Sequence, residues 1–280
     1  MRETALGRKE DMKHCRDPKT RFSAAEKIGF GAFMTAMVLF PLDVRLAVFP
    51  LAGFLLLCLI APFIPRIRFF LPVISRGRRD TKAVALTFDD GPDPVSTPKL
   101  LDLLDRHRAL ATFFVTGKRA VRYPEVIAQI VSRGHTIGNH TYGHDNFIML
   151  KSSRALKKEI MDAQAVLADF GIAPLIFRPP VGVTSPRLSA VLRETGMIAV
   201  NFSKRAADRG NRDVTGISKR ILNGLGAGDI IMLHDTRPHN AGLTPRWLSE
   251  IDRVLSGIRE KGLEIMPLSV LIDHPVMTRV

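Results

Sequence analysis

Cysteine is nearly absent from this chain of 280 residues, with only Cys15 and Cys58. No disulfide framework can organise the fold, because nothing after Cys58 is left to pair. Large polar aromatics are as scarce: Trp247 is the one tryptophan, and Tyr123 and Tyr142 are the two tyrosines. Broad stacking platforms are therefore few, with sixteen phenylalanines as the reserve. Acidic residues are outnumbered, 27 Asp+Glu against 41 Lys+Arg, for a formal charge of +14. Such a balance points to an anionic partner, nucleic acid or a membrane surface. No repeat or low-complexity tract is visible. With 46% hydrophobic and 24% charged residues, a disordered or collagen-like chain is excluded.

The charge is uneven. Residues 1–82 hold fifteen Lys+Arg and seven Asp+Glu, so the first third carries more than half of the surplus. Two apolar stretches interrupt it. Leu46–Pro65 is twenty residues without a charge, and a helix of that length rises about 30 Å, the thickness of a bilayer core. Pro50 and Pro62 would kink it, which membrane helices tolerate. Ile28–Leu42 is uncharged over fifteen residues, enough for a short or tilted span or for an interfacial helix. A signal peptide fits poorly, since the charged leader runs to Lys27 and no small-x-small cleavage site comes after the apolar run.

Eight Lys and Arg precede Ile28, only Arg45 lies between the stretches, and six lie between Pro65 and Lys82 inclusive. The positive-inside rule favours a hairpin with both ends cytoplasmic, whereas a single span would export the later domain. Basic flanks around apolar spans are explained by topology and anionic lipid, so the charge does not call for nucleic acid. The expected organisation is a basic leader over 1–27, a membrane segment over 28–65, a basic linker over 66–82 and a catalytic domain over 83–280.

From Ala83 onward short apolar runs alternate with longer amphipathic segments. The pattern predicts strands at Val84–Phe88, Ala111–Val115, His135–Asn139, Leu175–Pro179, Ile198–Phe202, Asp229–Leu233 and Leu263–Leu268. It predicts helices near Pro98–His107, Lys118–Arg133, Ser153–Phe170, Ser185–Thr195, Thr215–Leu225 and Thr244–Lys261. Ser153, Ser185 and Thr244 are candidate N-caps, and Gly134, Gly171, Gly196 and Gly262 stand where helices stop. This is an α/β chain with a parallel sheet, close to barrel closure, in which chemistry gathers at the carboxyl ends of strands.

Polar residues sit at those ends. Thr87–Pro92 reads TFDDGP, with Asp89 and Asp90 adjacent. Neighbours in an extended chain point opposite ways, so one carboxylate can bind a metal while the other handles a proton. Asn139–Asp145 reads NHTYGHD, with His140 and His144 four apart around Gly143. Imidazoles suit zinc and similar ions, and a carboxylate completes a three-ligand open site. Phe177–Gly182 reads FRPPVG, where Arg178 is rigidly placed to hold a carboxylate. Ile230–Asp235 reads IIMLHD, which lifts His234 to the top of a buried strand, a post for a general acid. Each signal alone has a bland reading as turn, surface or core. Their shared location and complementary chemistry point to an enzyme.

TFDDGP, HxxxH, RPP and LHD in this order resemble the NodB-homology polysaccharide deacetylases, carbohydrate esterase family four, over roughly Ala83–Leu271. The resemblance implies a distorted (β/α)7 barrel holding one divalent metal, usually zinc, with cobalt or another divalent ion as a substitute. It implies Asp90, His140 and His144 as ligands, Asp89 as general base, His234 as general acid and Arg178 as the group orienting Asp89. The backbone N–H of Val181, together with Leu233, would border the substrate and its oxyanion. Asp208 is a candidate charge partner for His234. The implied reaction removes an N-acyl group, acetyl above all, from an amino sugar. Val181 stands where the family often has tyrosine, and Asn201–Gly210 lacks the usual tryptophan. With so few aromatic platforms, a small or lipid-linked amino sugar at the membrane is favoured over an insoluble polymer. A deformylase or deacylase of a lipid-linked sugar would share this site. A metal-free tethered carbohydrate-binding domain would have lost some of these residues, yet all are present.

Overall fold

The computed structural model describes residues 22–64 and 68–280. Most of the predicted basic leader and the first residues of the predicted linker lie outside the described residues. The chain separates into two compact units, Met1–Phe54 and Leu55–Val280.

In the first unit, α1 (Ala24–Leu39) begins four residues earlier than the apolar stretch, because Ser23 caps it. Ser23 Oγ accepts from the Glu26 N–H at 3.2 Å, and Glu26 Oε2 accepts from the Ser23 N–H at 2.6 Å. This reciprocal pair satisfies two donors at the helix start. The helix ends before Pro41. Asp43 Oδ1 then accepts from the Arg45 N–H at the entry to α2 (Val44–Ile60), which crosses the boundary between the units and carries Pro50 inside it. Gly29 lies against the Phe54 ring, where an added Cβ would come within 2.7 Å of it. Ala25, Ala36 and Ala47 are buried, while Phe30, Phe33, Met37 and Phe49 are exposed. Val44–Phe63 is long and apolar enough to cross a membrane, and only 11% of it is buried.

The second unit is a curled parallel sheet with helices packed on it. Its strands are β1 (Val73–Ile74), β2 (Ala83–Asp89), β3 (Ala111–Val115), β4 (Thr136–Asn139), β5 (Ile172–Pro174), β6 (Ile176–Phe177), β7 (Ile198–Val200), β8 (Lys204–Arg205), β9 (Ile230–His234), β10 (Glu264–Ile265) and β11 (Met277–Arg279). Its helices are α3 (Ser96–Arg106), α4 (Gly117–Arg122), α5 (Pro124–Ser132), α6 (Ser153–Ala168), α7 (Pro186–Thr195), α8 (Ile217–Leu222), α9 (Thr244–Glu260) and α10 (Leu268–Leu271). The sheet order is β1-β7-β6-β4-β3-β2-β9-β8, with β10 paired to the start of β2. Every pairing in it is parallel, as strand-helix alternation requires. A separate antiparallel pair joins β11 to β5. The distorted barrel is therefore an open, curled half-barrel, with β1 and β8 at its ends.

β2 lies at the centre, and its alternation positions the site. Val84, Leu86 and Phe88 enter a core with Leu100, Leu104, Phe113 and Trp247. Ala83 and Ala85 enter the opposite core with Phe114, Ile176, Val200 and Met232. The side-chain period of two carries Thr87 and Asp89 onto that second face. Small residues low on the strand thus give way to polar ones at its carboxyl end.

Some local expectations are corrected. The single helix expected over Lys118–Arg133 is two, because Pro124 has no N–H to continue α4 and instead opens α5. Ser152, not Ser153, caps α6 through its hydroxyl and the Ala155 N–H. Leu243 stands at the cap of α9, and Thr244 is its first helical residue. Ser185 caps α7 as expected, and Gly196 ends it at φ 66. The short strands β1, β8 and β11 carry too few residues for a periodic signal.

His135, just after Gly134, is buried. Its Nδ1 accepts from the Ala111 N–H at 3.2 Å, and its ring stands edge-on to Phe113. Burial pushes its pKa down to about 4, aided by Arg133 and opposed by Asp105. A histidine depressed in the folded state contributes stability above its unfolded pKa, about 6.5, and loses it as pH falls towards 4. Between pH 7 and pH 5 this loss should reach about 2 kcal/mol. Urea unfolding should show His135→Gln losing less stability over that interval than the wild type. Equal slopes would assign the titration to another group.

Candidate active site

The polar ends of β2, β4, β6 and β9 converge. Asp89 is registered beside His234 on β9 and Phe114 on β3. Its Oδ1 accepts from Arg178 Nη1 at 2.6 Å. Arg178 follows β6 and is fully buried. Its guanidinium also donates to Thr87 Oγ1 at 2.8 Å, to Val200 O at 3.1 Å and to Asn201 O at 2.9 Å. The Phe114 ring lies under it, 3.9 Å from centroid to Cζ. Burial lowers the Arg178 pKa, opposed by the Asp89 charge. A buried guanidinium with this many acceptors is a fixed support, and it holds the Asp89 carboxylate in one orientation.

Asp90 turns the other way, at φ 71. Its Oδ1 lies 3.2 Å from His140 Nε2 and 2.9 Å from His144 Nε2. Burial opposes ionisation of Asp90, but the two imidazoles overcome it and hold the carboxyl well below the usual range. For His144, burial lowers the pKa and Asp90 more than reverses the effect. The Arg178 carbonyl, which can only accept, lies 2.7 Å from His140 Nδ1. A proton therefore sits on Nδ1, and Nε2 is the ring atom left beside Asp90, the one that a metal ion would share with that carboxylate.

One donor atom from each of Asp90, His140 and His144 lies within 4.8 Å of the others. His140 is buried, while Asp90 and His144 are half-buried, so the set is closed behind and open in front. Two imidazoles and a carboxylate with an open side fit a catalytic divalent ion.

The loop carrying the histidines is tightly braced. Asn139 Oδ1 accepts from the Thr141 N–H, and Asn139 Nδ2 donates to Ile160 O and Gln164 Oε1. Glu159 Oε2 on α6 accepts from the N–H groups of Tyr142 and Gly143, at 3.1 and 2.7 Å. Thr141 Oγ1 accepts from the His144 N–H. Thr141 and His144 both have positive φ, a costly conformation that this bracing maintains.

His234 closes the arrangement. Its Nδ1 lies 2.8 Å from Asp208 Oδ1, and its Nε2 is 4.0 Å from Asp90 Oδ2. Burial alone would lower its pKa, but Asp208, with help from Asp90 and Asp89, raises it to about 9. An imidazolium is thus available at neutral pH beside a carboxylate that holds its far nitrogen. The adjacent Asp235 is fully buried, and Thr97 Oγ1 is 2.8 Å from both of its oxygens. Burial pushes the Asp235 carboxyl well above the usual range.

The structure brings together Asp89, Asp90, His140, His144, Arg178, Asp208 and His234. Val181 stands on the same loop as Arg178, exposed, at φ 52. A β-branched residue rarely adopts that conformation. The Leu233 side chain is packed in the core, so only its main chain reaches this end of β9. Sequence reasoning missed Thr87, Asn139, Glu159, Asn201, Asn211 and Asp235. Thr87, Asn139 and Asp235 lie inside the motifs, where a buried polar type was a readable signal. Glu159 and Asn211 reach the site from distant segments, and nothing in their local sequence marks them.

Comparison with known proteins agrees with this fold. The polysaccharide deacetylase family description matches residues 76–200. A peptidoglycan-N-acetylglucosamine deacetylase of Bacillus cereus is 33% identical over 195 residues, covering 69% of this chain and 89% of that protein. A chitooligosaccharide deacetylase of Bradyrhizobium is 31% identical over 215 residues, covering 72% and 98%. Among solved structures, a peptidoglycan N-acetylglucosamine deacetylase bound to an N-oxidanyl-benzamide superposes with a TM-score of 0.67 at 29% identity, covering 73% of this chain and 94% of that one. A family 4 carbohydrate esterase of Streptomyces lividans, in complex with acetate, gives a TM-score of 0.58 at 31% identity, covering 65% and 91%. With the sheet, the motif order and these relatives in agreement, the chain belongs to the polysaccharide deacetylase family of NodB homology, the hydrolases of carbohydrate esterase family four.

Proposed function

We propose that this enzyme is a membrane-attached, metal-dependent N-deacetylase of an amino sugar, with Asp90, His140 and His144 holding one divalent ion, zinc by preference. The observation that carries the reading is the convergence of these three ligand atoms beside a clamped carboxylate and a protonated imidazole. The relatives named for peptidoglycan N-acetylglucosamine and chito-oligosaccharides support an N-acetylated glycan as substrate. The bound cation would supply Lewis acidity, polarising the acyl carbonyl and acidifying water in the site.

The chain's own groups handle the protons. Asp89, fixed by Arg178, accepts one from the attacking water. His234, held by Asp208 and already protonated, gives one to the departing nitrogen, so that an amine leaves and no amide anion is expelled. The Val181 N–H would serve the developing oxyanion, a main-chain role that the identity of the side chain leaves intact. The products are a free amino sugar and a carboxylate, acetate for an acetyl substrate. A formyl or other acyl group would need only a different acyl pocket, and the same atoms would serve.

The apolar helix Val44–Phe63 supports membrane attachment, and the paucity of aromatic platforms supports a lipid-linked saccharide over an insoluble polymer. The distribution of Lys and Arg supports a two-helix hairpin with the catalytic domain on the cytoplasmic side.

Elemental analysis of purified protein should find one divalent ion per chain, falling sharply in His140→Ala and His144→Ala. Full occupancy in both variants overturns the ligand set. Acetate release from chito-oligosaccharide should fall roughly 10²–10⁴-fold in Asp89→Asn and in His234→Ala, with metal retained. Metal lost from Asp89→Asn but kept in Asp90→Asn would exchange the two aspartates. Alkaline phosphatase fused after Val280 should be inactive; strong activity would mean one span and an exported enzyme.

A further inference from the structure

The wall of the site beyond His234 is a loop that the deacetylation chemistry does not fully use. Residues 206–213 follow β8 and hold Asp208 against His234. Gly210 borders the ligand carboxylate, since a Cβ there would lie 3.9 Å from Asp90 Oδ2. Asn211 is buried and laces this loop to the segment after β9, donating from Nδ2 to His234 O at 3.0 Å and to Thr236 O at 2.6 Å. Arg220 on α8 ties both ends, donating to Ala206 O and to Asp213 O. Ala207, Arg209, Gly210 and Asn211 all have positive φ. Three of these are not glycine, and such residues persist only where the surroundings over-determine them; this loop is held at both ends and in the middle.

From this fixed frame Arg209 and Arg212 project into solvent, and Arg237 does so from the segment that Asn211 laces to it. None of the three guanidiniums makes a hydrogen bond or ion pair among the described residues. The neighbouring acids are already engaged. Asp208 is buried on His234, Asp213 takes the Thr215 N–H and stands near Arg220, and Asp235 is buried on Thr97. Three guanidiniums with no partner among the described residues are thus carried on the segments that adjoin Asp208 and His234.

We infer that Arg209, Arg212 and Arg237 form a phosphate-recognising edge, and that the amino sugar acted on carries a phosphate or diphosphate ester. This rests on the N-deacetylase reading above and names its substrate class. In a 2-acylamino sugar the ester oxygen at the anomeric position is on the carbon next to the one bearing the nitrogen. A sugar placed with its nitrogen at His234 therefore carries its phosphate on the neighbouring carbon, close enough for long side chains on the adjoining segments to reach it. Guanidinium is the side chain best matched to phosphate, through paired N–H donors. The ester can belong to a soluble sugar phosphate or to a lipid carrier, and the edge reads the chemistry they share.

The test uses the full chain in detergent with three probes: N-acetylglucosamine 1-phosphate, the same sugar on a polyprenyl diphosphate in vesicles, and neutral chitotetraose. The readout is the ratio of kcat/KM for a phosphorylated probe to that for chitotetraose. The wild type should favour both phosphorylated probes, less so as salt rises. Arg209→Ala/Arg212→Ala and Arg237→Ala should each reduce that ratio, by about tenfold per arginine removed, with lysine replacements restoring part of it. General damage to the fold lowers both rates and leaves the ratio unchanged. Calorimetric binding of N-acetylglucosamine 1-phosphate to chelator-treated protein should weaken in the same variants. Binding that weakens as expected, with none of the three probes hydrolysed by the wild type, would support the edge while overturning the deacetylase reading. A ratio that does not change in the variants overturns the edge, as does a wild type with no preference for phosphate. Loss of vesicle binding with the ratio intact also overturns it, since the arginines would then be meeting lipid headgroups.

Discussion

The buried pair of Arg178 and Asp89 is the constraint around which the catalytic end of the sheet is arranged. A guanidinium withdrawn wholly from water must have nearly every donor answered, and here the answers come from several elements. Asp89 and Thr87 come from β2, and the carbonyls of Val200 and Asn201 come from β7 and the residue after it. Removing one partner from such a pair leaves a stranded charge and costs about 3–5 kcal/mol. The pair therefore fixes how the strand ends sit relative to each other as well as the direction of one carboxylate. The alternation along β2 makes room for it, since Ala83 and Ala85 lie below Thr87 and Asp89 on the same face.

Backbone strain is concentrated where chemistry is expected. Asp90, Thr141, His144 and Val181 all adopt positive φ near the ligand set, and Ala207, Arg209 and Asn211 in the wall repeat the pattern. Each such residue costs of the order of 1–3 kcal/mol. The strain is sustained by polar groups outside the reacting set, namely Asn139, Glu159, Asn211 and Arg220. Rigid parallel strands supply position, and these side chains convert that position into orientation.

Much of this is legible in the sequence. Strand β3 matches its expected bounds, and β2 and β9 differ from theirs by a residue at either end, because long buried runs leave little ambiguity. TFDDGP, HxxxH, RPP and LHD locate the convergence, because each sits at the end of an apolar run. The hidden part depends on tertiary packing. Two-residue strands such as β1 and β8 have no period to read. The break at Tyr123 is signalled by Pro124, yet the amphipathic pattern runs through it. Glu159 resembles any helical surface glutamate until the fold brings the Tyr142 and Gly143 amides to it. Val181 reads as a departure from the family, but its conformation depends on the loop and not on its side chain.

Arg178 has two separate attachments to the site. Its side chain steadies Asp89, while its main-chain carbonyl sets the tautomer of His140. The second attachment belongs to the peptide unit and is present whatever residue occupies the position. A descendant of this chain that drifted to another residue there would lose the steadied carboxylate, while a main-chain carbonyl would still be present to accept from the imidazole. Decay of this active site would therefore proceed in stages, with proton handling disabled first and the ligand cluster persisting as a relic.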